Sequence, residues 1–448
     1  MLKNTIHSLS LLLLLMPAYS LGTDPNTVIG IVTDENPATF YEPYNLAISP
    51  NGQTIYVSNF GNNTVSIVDV ATNTVTGIVS DPSSTFHGVY GISFSPNGQT
   101  AYVMNSDMPY SISIVDTATN TVTGTVNTTA AQLREPLYMA ITADGTTGYV
   151  ANADSGNVTV VDLTTNVTTQ NITLPGTDNY VTNILIAPNG TTAYASTYYT
   201  GVFILDITNN TVTGSVSNGT FDYPYQMAIT ADGSTLYVSN FYGNTVSVVD
   251  TATGTQTATV TDLNPATFNE PYGMAISKDG TRLFVTNYSG NSVSIVDTAT
   301  NAVTGLVTDL TPPTFDEPNT ISIIPNGEYG YVPNTSNNEV SIIFISPLIG
   351  PPSNFTGCKS QDVFLFQEDL VNILSWNSPS GGTAPVSYKI YSNTGLTQLV
   401  ATVSASGPLQ YIDHNRAPNT PYSYYIVSVD AQSDVSSSVG VTVNQNCA

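Results

Sequence analysis

Apolar and polar residues alternate in short runs along most of the chain, the period of two that predicts β-strands. Tyr56-Val57-Ser58-Asn59, Val65-Ser66-Ile67-Val68-Asp69 and Asn73-Thr74-Val75-Thr76-Gly77 are typical runs, and helix formers in amphipathic spacing are absent. Between the runs a turn signal recurs at Asn51-Gly52, Asn97-Gly98, Asp144-Gly145, Asn189-Gly190, Asp232-Gly233, Asp279-Gly280 and Asn326-Gly327. The successive glycines are 46, 47, 45, 43, 47 and 47 residues apart. Asn-Gly or Asp-Gly flanked by alternating apolar residues is a strong hairpin signal. A period in the forties built only of strands predicts one four-stranded propeller blade per repeat.

Within each repeat the strands follow a fixed order, here called a to d. Strand a precedes the turn, as in Asn45-Leu46-Ala47-Ile48-Ser49. Strand b follows it, as Tyr56-Val57-Ser58-Asn59, Tyr102-Val103-Met104-Asn105 or Tyr237-Val238-Ser239-Asn240. Strand c ends in Asp69, Asp116, Asp162, Asp206, Asp250 or Asp297, with Phe344 in the seventh copy. Strand d begins at Asn73, Asn120, Asn166, Asn210, Gly254 or Asn301. These strings resemble the YVTN-type β-propeller repeat of exported and surface-layer proteins over about residues 26–346. The resemblance implies a fold and little about activity, because propellers host many unrelated functions. The seventh repeat lacks strand d, yet Asn26-Thr27-Val28-Ile29-Gly30 copies it. Pairing that N-terminal strand onto the last blade closes the ring and removes exposed sheet edges. The expected fold is all-β, a seven-bladed propeller closed by an N-terminal strand.

The period stops at a Pro/Gly-rich linker, residues 347–353, and residues 354–448 form a separate unit. Leu374-Ser375-Trp376, Val386-Ser387-Tyr388-Lys389-Ile390-Tyr391 and Tyr422-Ser423-Tyr424-Tyr425-Ile426-Val427 alternate as strands of a β-sandwich. Their order resembles a fibronectin type III domain, with Trp376 in the core and Tyr422 at the place of the tyrosine corner. That resemblance implies a spacer or binding module.

Composition narrows the function. Only 9% of the 448 residues are charged, with Asp+Glu 32 against Lys+Arg 7 and a net charge of −25. So few basic residues exclude nucleic acid as a partner, since that affinity rests on clustered Lys and Arg. Adhesion to anionic lipid through a polybasic patch fails for the same reason. Residues 1–20 read as a signal peptide: a basic start at Lys3, an apolar stretch from Leu9 to Met16, and small residues before cleavage after Ser20. The stretch is too short to span a bilayer. The mature propeller then covers 21–346 and is exported to the periplasm, cell surface or exterior. In that setting the two cysteines, Cys358 and Cys447, predict one disulfide.

Catalytic signatures are missing. No Gly-x-Ser-x-Gly elbow, His-Glu-x-x-His or phosphate loop occurs, and the mature chain holds only His87 and His414. His87 falls in a loop where other repeats carry Asn269 or Asp316 and reads as a solvated loop residue. His414 reads as a turn residue. The aspartates closing strand c recur in nearly every blade and therefore read as turn caps.

Chain geometry places the uniform a–b and c–d turns on one face and the variable b–c and d–a loops on the other. The second set is aromatic and acidic, and variable loops on a rigid scaffold are where binding concentrates. Several of the loop phenylalanines are expected to pack between adjacent blades. Tyr44, Tyr90, Tyr138, Tyr199, Tyr225, Tyr242, Tyr272 and Tyr288 are the candidate contact residues, since Tyr gives large amphipathic area at low entropy cost. Glu42, Glu135, Glu270 and Glu317 join them as carboxylates near the channel mouth. They are candidates for Ca²⁺ or a cationic ligand, although no cofactor is required. This predicts a non-enzymatic binding or adhesion scaffold for a protein or glycan. The runner-up is a lactonase-like propeller hydrolase or lyase using channel-mouth carboxylates and a bound metal.

Overall fold

A computed structural model describes residues 26–34, 39–128, 131–176, 180–263, 265–345, 352–364, 367–379, 385–394, 396–414, 416–417, 420–429, 436 and 438–444. The signal peptide expected over 1–20 and Cys447 lie outside these residues. Seven four-stranded antiparallel sheets follow one another along the chain. In the first blade, strands a to d are Pro43–Ile48, Thr54–Asn59, Thr64–Asp69 and Thr74–Ile78. The seventh sheet takes its outer strand from Thr27–Ile31, which pairs antiparallel with Glu339–Phe344, Thr27 opposite Phe344 and Ile31 opposite Ser341. The chain therefore closes its own ring, as the copied strand predicts.

Burial explains the repeat. Strand b is buried along nearly its whole length in every blade, and strand d is half-exposed at the rim. The apolar clusters lie between neighbouring blades. Tyr56, Val65 and Ile67 of the first blade pack on Phe86, Val89 and Ile92 of the second. Phe40, Phe268 and Phe315 fill equivalent interblade clusters, as expected for the phenylalanines. Each fully buried side chain of this size contributes about 1.5–3 kcal/mol. An aspartate anchors each such loop: Asp34 accepts from the Thr39 and Phe40 N–H, and Asp309 from the Thr314 and Phe315 N–H.

The recurrent polar residues are folding devices. Asp69 Oδ1 accepts from the N–H and hydroxyl of Thr72 at 2.8 Å, and Asp116, Asp250 and Asp297 cap their turns identically. The strand b tyrosine reaches into the next blade. Tyr149, Tyr237 and Tyr331 donate to Asn210, Asn301 and Asn73 at 2.8, 2.7 and 2.6 Å. Those asparagines hold positive φ at the head of strand d. Two copies depart. Gly254 stands at the acceptor position opposite Tyr194, and Phe284 replaces the tyrosine of blade six. At that last joint Arg282 Nη1 donates instead to Asn26 Oδ1 at 2.6 Å and to the Ile345 carbonyl at 3.0 Å.

Near the axis the inner strands crowd together. A Cβ on Gly91 would lie 2.2 Å from the Leu137 carbonyl oxygen, and one on Gly273 2.5 Å from that of Asn319. Only glycine permits that approach.

The C-terminal unit is a second, separate set of sheets. One contains Ser353–Phe364, Gln367–Asn377 and Gln410–Asp413, and the other Leu399–Ser404, Ser387–Tyr391, Tyr422–Val429 and Val439–Val443. Trp376, Tyr388, Tyr424 and Leu374 form their shared core. Tyr424 donates to Asp413 at 2.6 Å and accepts from Asn372 at 2.7 Å. Tyr422 accepts from the Ala417 N–H at 3.0 Å, bracing the corner before its strand. The segment around Cys358 forms one arm of a long hairpin rather than a short first strand.

Candidate functional site

The b–c and d–a loops gather on one face, and a second relay between blades fixes them. Asn63, Asn244, Asn291 and Asn338, all at positive φ, accept from the N–H of Gly88, Glu270, Glu317 and Glu42 in the next blade, at 2.6, 2.6, 2.8 and 2.6 Å. Glu42, Glu135, Glu270 and Glu317 are themselves left-handed, with φ of 48, 51, 54 and 52°. This conformation is uncommon for glutamate. It turns the chain sharply into strand a and fixes each carboxylate at the same corner of its blade. Glu42 is exposed and the other three are half-buried.

Inside this rim five predicted tyrosines converge from five blades. The Tyr44 and Tyr272 hydroxyls are 2.8 Å apart, and that of Tyr90 lies 3.1 Å from Tyr44 and 2.9 Å from Tyr272. Tyr90 also hydrogen-bonds Tyr225. The Tyr138 hydroxyl accepts from Gln226 Nε2 at 2.9 Å. Tyr90, Tyr225 and Tyr272 are buried, not presented to solvent, because their rings fill the axis where the inner strands cannot meet. Burial pushes their phenols well above the ordinary range, so all three stay neutral.

Above this knot lies a cavity of about 290 Å³ lined by Tyr44, Tyr198, Tyr223, Tyr225, Phe241, Tyr242, Tyr272 and Tyr288. The rings form a continuous net: Tyr225–Tyr272 at 4.3 Å, Tyr223–Tyr242 at 4.5 Å and Tyr198–Tyr225 at 5.7 Å between centroids. Tyr242 in the lining is 57% exposed, and Tyr199, 58% exposed, packs outside it against Tyr198 and Tyr223. Tyr288 is bonded to Glu317, and that contact, after burial, pushes its phenol up. Glu270 accepts from the Ser289 hydroxyl.

The carboxylates reach the cavity through Tyr198 and Tyr180, whose rings are 5.7 Å apart. The charge of Glu135 is the main factor raising the Tyr180 phenol, and it also bears on Tyr198 and Tyr110. Burial, with the charges of Asp154 and Asp107, holds the Glu135 carboxyl above the usual range. Arg134 Nη1 sits 3.9 Å from Asp154 on the open side. A second cavity of about 310 Å³ runs beside them, lined by Asp154, Ser155, Leu174 and Tyr180 among others. Asp154, Asp107, Arg134 and Tyr180 were not legible as site residues, because they stand at loop positions that carry other residue types in most repeats. The one sequence signal is that Asp107 and Asp154 both stand two residues after the asparagine that ends strand b, Asn105 and Asn152. His87 is half-buried, its N–H donating to Asn105 Oδ1 at 3.2 Å. Among the described residues no three His, Cys, Asp or Glu side chains converge as a metal site. The rim glutamates thus do not fit the metal of the runner-up reading. Cys358 is not a free thiol, and its expected partner lies outside the described residues.

The fold and this one-sided basin define a seven-bladed propeller with a loop-face site. A family model described as "Lactonase, 7-bladed beta-propeller" matches residues 192–322, under a third of the chain. A PE-PGRS family protein, PE_PGRS18 of Mycobacterium tuberculosis (strain ATCC 25618 / H37Rv), is 52% identical over 44 residues, 10% of this chain and 9% of that protein. The chain thus spans under a tenth of that relative's length. Among solved structures, Kuenenia stuttgartiensis hydrazine synthase is 22% identical with a TM-score of 0.60, covering 71% of this chain and 99% of its own. The Cps50 (Swd1) β-propeller domain of Myceliophteria thermophila is 13% identical with a TM-score of 0.59, over 71% and 99%. At these identities the two structures show the propeller fold alone. The lactonase match overturns the expected non-enzymatic scaffold, and it favours the hydrolase reading that ranked second. The physical reason is visible in the basin: the buried tyrosines are a plug, and the aromatic lining encloses a small cavity beside titratable carboxylates.

Proposed function

We propose that the loop face of the propeller is the active site of a lactone or ester hydrolase. The observation that carries this reading is Glu135, a half-buried carboxylate held above its usual pKa by burial and by Asp154 and Asp107, beside a small aromatic cavity. A base is most effective when its pKa approaches the working pH. The lactonase match supports the reaction class. In this mechanism Glu135 takes a proton from a water whose oxygen attacks the carbonyl carbon. The Tyr180 and Tyr110 phenols donate to the carbonyl oxygen as it gains charge. The ring C–O bond then breaks, and the leaving alkoxide recovers the proton from Glu135. No step needs a metal, and at about 290 Å³ the cavity suits a small substrate.

The finer affiliations belong to the same proposal. The repeated strings support YVTN-type blades. Trp376 and the Tyr422 corner support a fibronectin type III-like spacer, and the leader supports export. The test is hydrolysis of a panel of lactones and aryl esters by the purified full chain and by Glu135→Gln. We expect turnover that rises with pH through the Glu135 pKa and falls about 10²-fold or more in the variant, the range for a lost general base. Equal turnover in both proteins would remove Glu135 from the reaction, and no turnover on any member would refute the hydrolase.

A further inference from the structure

The basin's charge and lining specify a substrate class more narrowly than its reaction does. Among the described residues of the propeller there are three basic side chains: Arg134, Lys278 and Arg282. Lys278 and Arg282 flank the Asp279-Gly280 turn, on the uniform face opposite the basin. Arg134 faces Asp154 and stands beside Glu135. The cavity itself is walled by tyrosine and phenylalanine, with no basic side chain in its lining. An anionic substrate, whether phosphorylated or carboxylated, meets no counter-charge there. A cation meets two favourable fields at once. The ring faces of Tyr223, Tyr225, Tyr242 and Tyr272 carry negative quadrupole density. Behind them, Glu317 is bonded to Tyr288 and Glu270 lies close enough to act on the same phenol. The protein's net charge of −25 favours cations over anions at its surface as a whole.

We propose that the aromatic cavity is a binding pocket for a quaternary ammonium group, so that the substrate is an ester or lactone bearing an onium head. The proposal rests on the hydrolase reading for the word substrate, and on the pocket alone for the word onium. The geometry suits the division. The onium lies among the rings, and its acyl group reaches past Tyr198 and Tyr180 towards Glu135. Tyr198 is the hinge of this arrangement, since it touches Tyr225 in the cavity wall and Tyr180 beside the carboxylates.

The experiment separates the two claims. Choline and its neutral isostere 3,3-dimethyl-1-butanol are titrated into the full-length protein by calorimetry. We expect choline to bind at least about fivefold tighter, the scale of a partly desolvated cation–π contact. Its affinity should fall severalfold in Tyr242→Ala and in Glu317→Gln. Tyr242 is more than half exposed, so its loss leaves the fold intact, and the Glu317 change removes charge without volume. Choline should also compete with any lactone or ester that the protein turns over. Equal affinity for choline and the neutral alcohol, or turnover that choline does not inhibit, would overturn the onium pocket and leave the hydrolase standing. Selective choline binding without turnover on any ester would confirm the pocket and defeat the hydrolase.

Discussion

Arg282 holds the ring shut, and replacing it should loosen one joint among seven. At five other joints a phenol in strand b donates to an asparagine in the next blade, but at the closing joint Phe284 lacks the hydroxyl. The guanidinium of Arg282 does that work, bonding Asn26 on the closing strand and the Ile345 carbonyl just past strand c of the same blade. Five other blades carry threonine at the Arg282 position (Thr54, Thr100, Thr147, Thr192 and Thr235), so Arg282→Thr suits the local strand. It deletes two charge-assisted hydrogen bonds, each worth about 1.5–3 kcal/mol when well shielded. Arg282 is only half-buried, so water recovers part of that, and we expect a net loss of about 2–3 kcal/mol. For a propeller of about 320 residues, with an unfolding entropy of about 2.1 cal/mol/K per residue, that lowers the melting temperature by about 3–5 °C. Hydrogen exchange should locate the damage. The amides of Val28 and Val32, bonded to Thr308 and Val340 carbonyls, should exchange faster, while those of blades two to five keep their protection. Adding Phe284→Tyr to the variant should restore about 1 kcal/mol by recreating the phenol latch to Asn26. An unchanged melting temperature and unchanged exchange at Val28 would refute the reasoning.

Two further outcomes follow from the hub and the carboxylates. Tyr90→Phe removes the hydroxyl that joins Tyr44, Tyr225 and Tyr272, leaving buried phenols short of a partner. Calorimetry should show a loss of about 1–3 kcal/mol. The turn-capping aspartates have carboxyls lowered by threonine and asparagine donors, and Asp232 is lowered to about 2 by Thr230 and Ser234. Their stabilisation is present above the unfolded pKa of about 4 and is lost as pH falls through the lower folded values. Glu135 has the opposite sign: its raised pKa gives stability below about pH 4.5 that is lost as pH rises. Melting curves from pH 2 to 7 should therefore show acid destabilisation below about pH 4, and Glu135→Gln should be more stable than the native chain at pH 7 but not at pH 4.

The blades were legible because every physical demand of the fold repeats. Turn glycines, buried strand b and capping aspartates recur at one period, so each copy reports on the others. The ring closure was legible for the same reason, as a copied strand out of place. The site was harder to read, since a catalytic basin uses each blade differently. Tyr90, Tyr225 and Tyr272 looked like contact residues because they follow directly on the variable d–a loops. Only the convergence of strand a near the axis buries them. Glu135 reads like Glu42, Glu270 and Glu317 in sequence, and its distinction comes from Asp154 and Asp107, which share one b–c loop position where the other blades carry Gly61, Tyr199, Tyr242, Ser289 and Ser336. The latch asparagines such as Asn244 and Asn291 passed as variable-loop residues although they recur. Their role appears only when one blade is set against the next.

The rim latches and the hub knot obey different rules of copy number. Each phenol latch hands a donor forward and each loop-face asparagine an acceptor, so any blade can follow any other and a duplicated repeat would find both of its partners. The knot has no such freedom. It is made of Tyr44, Tyr90, Tyr138, Tyr225 and Tyr272; Tyr138 sits one residue further along its strand than the other four, and Leu137, Thr182 and Asn319 stand at the position those four share. An eighth copy inserted by recombination would satisfy the whole periphery and still draw the phenols apart, opening a pore through the molecule. In this lineage of repeats the number seven is enforced from the centre, and a gain or loss of one unit survives only if the hub is rewritten with it.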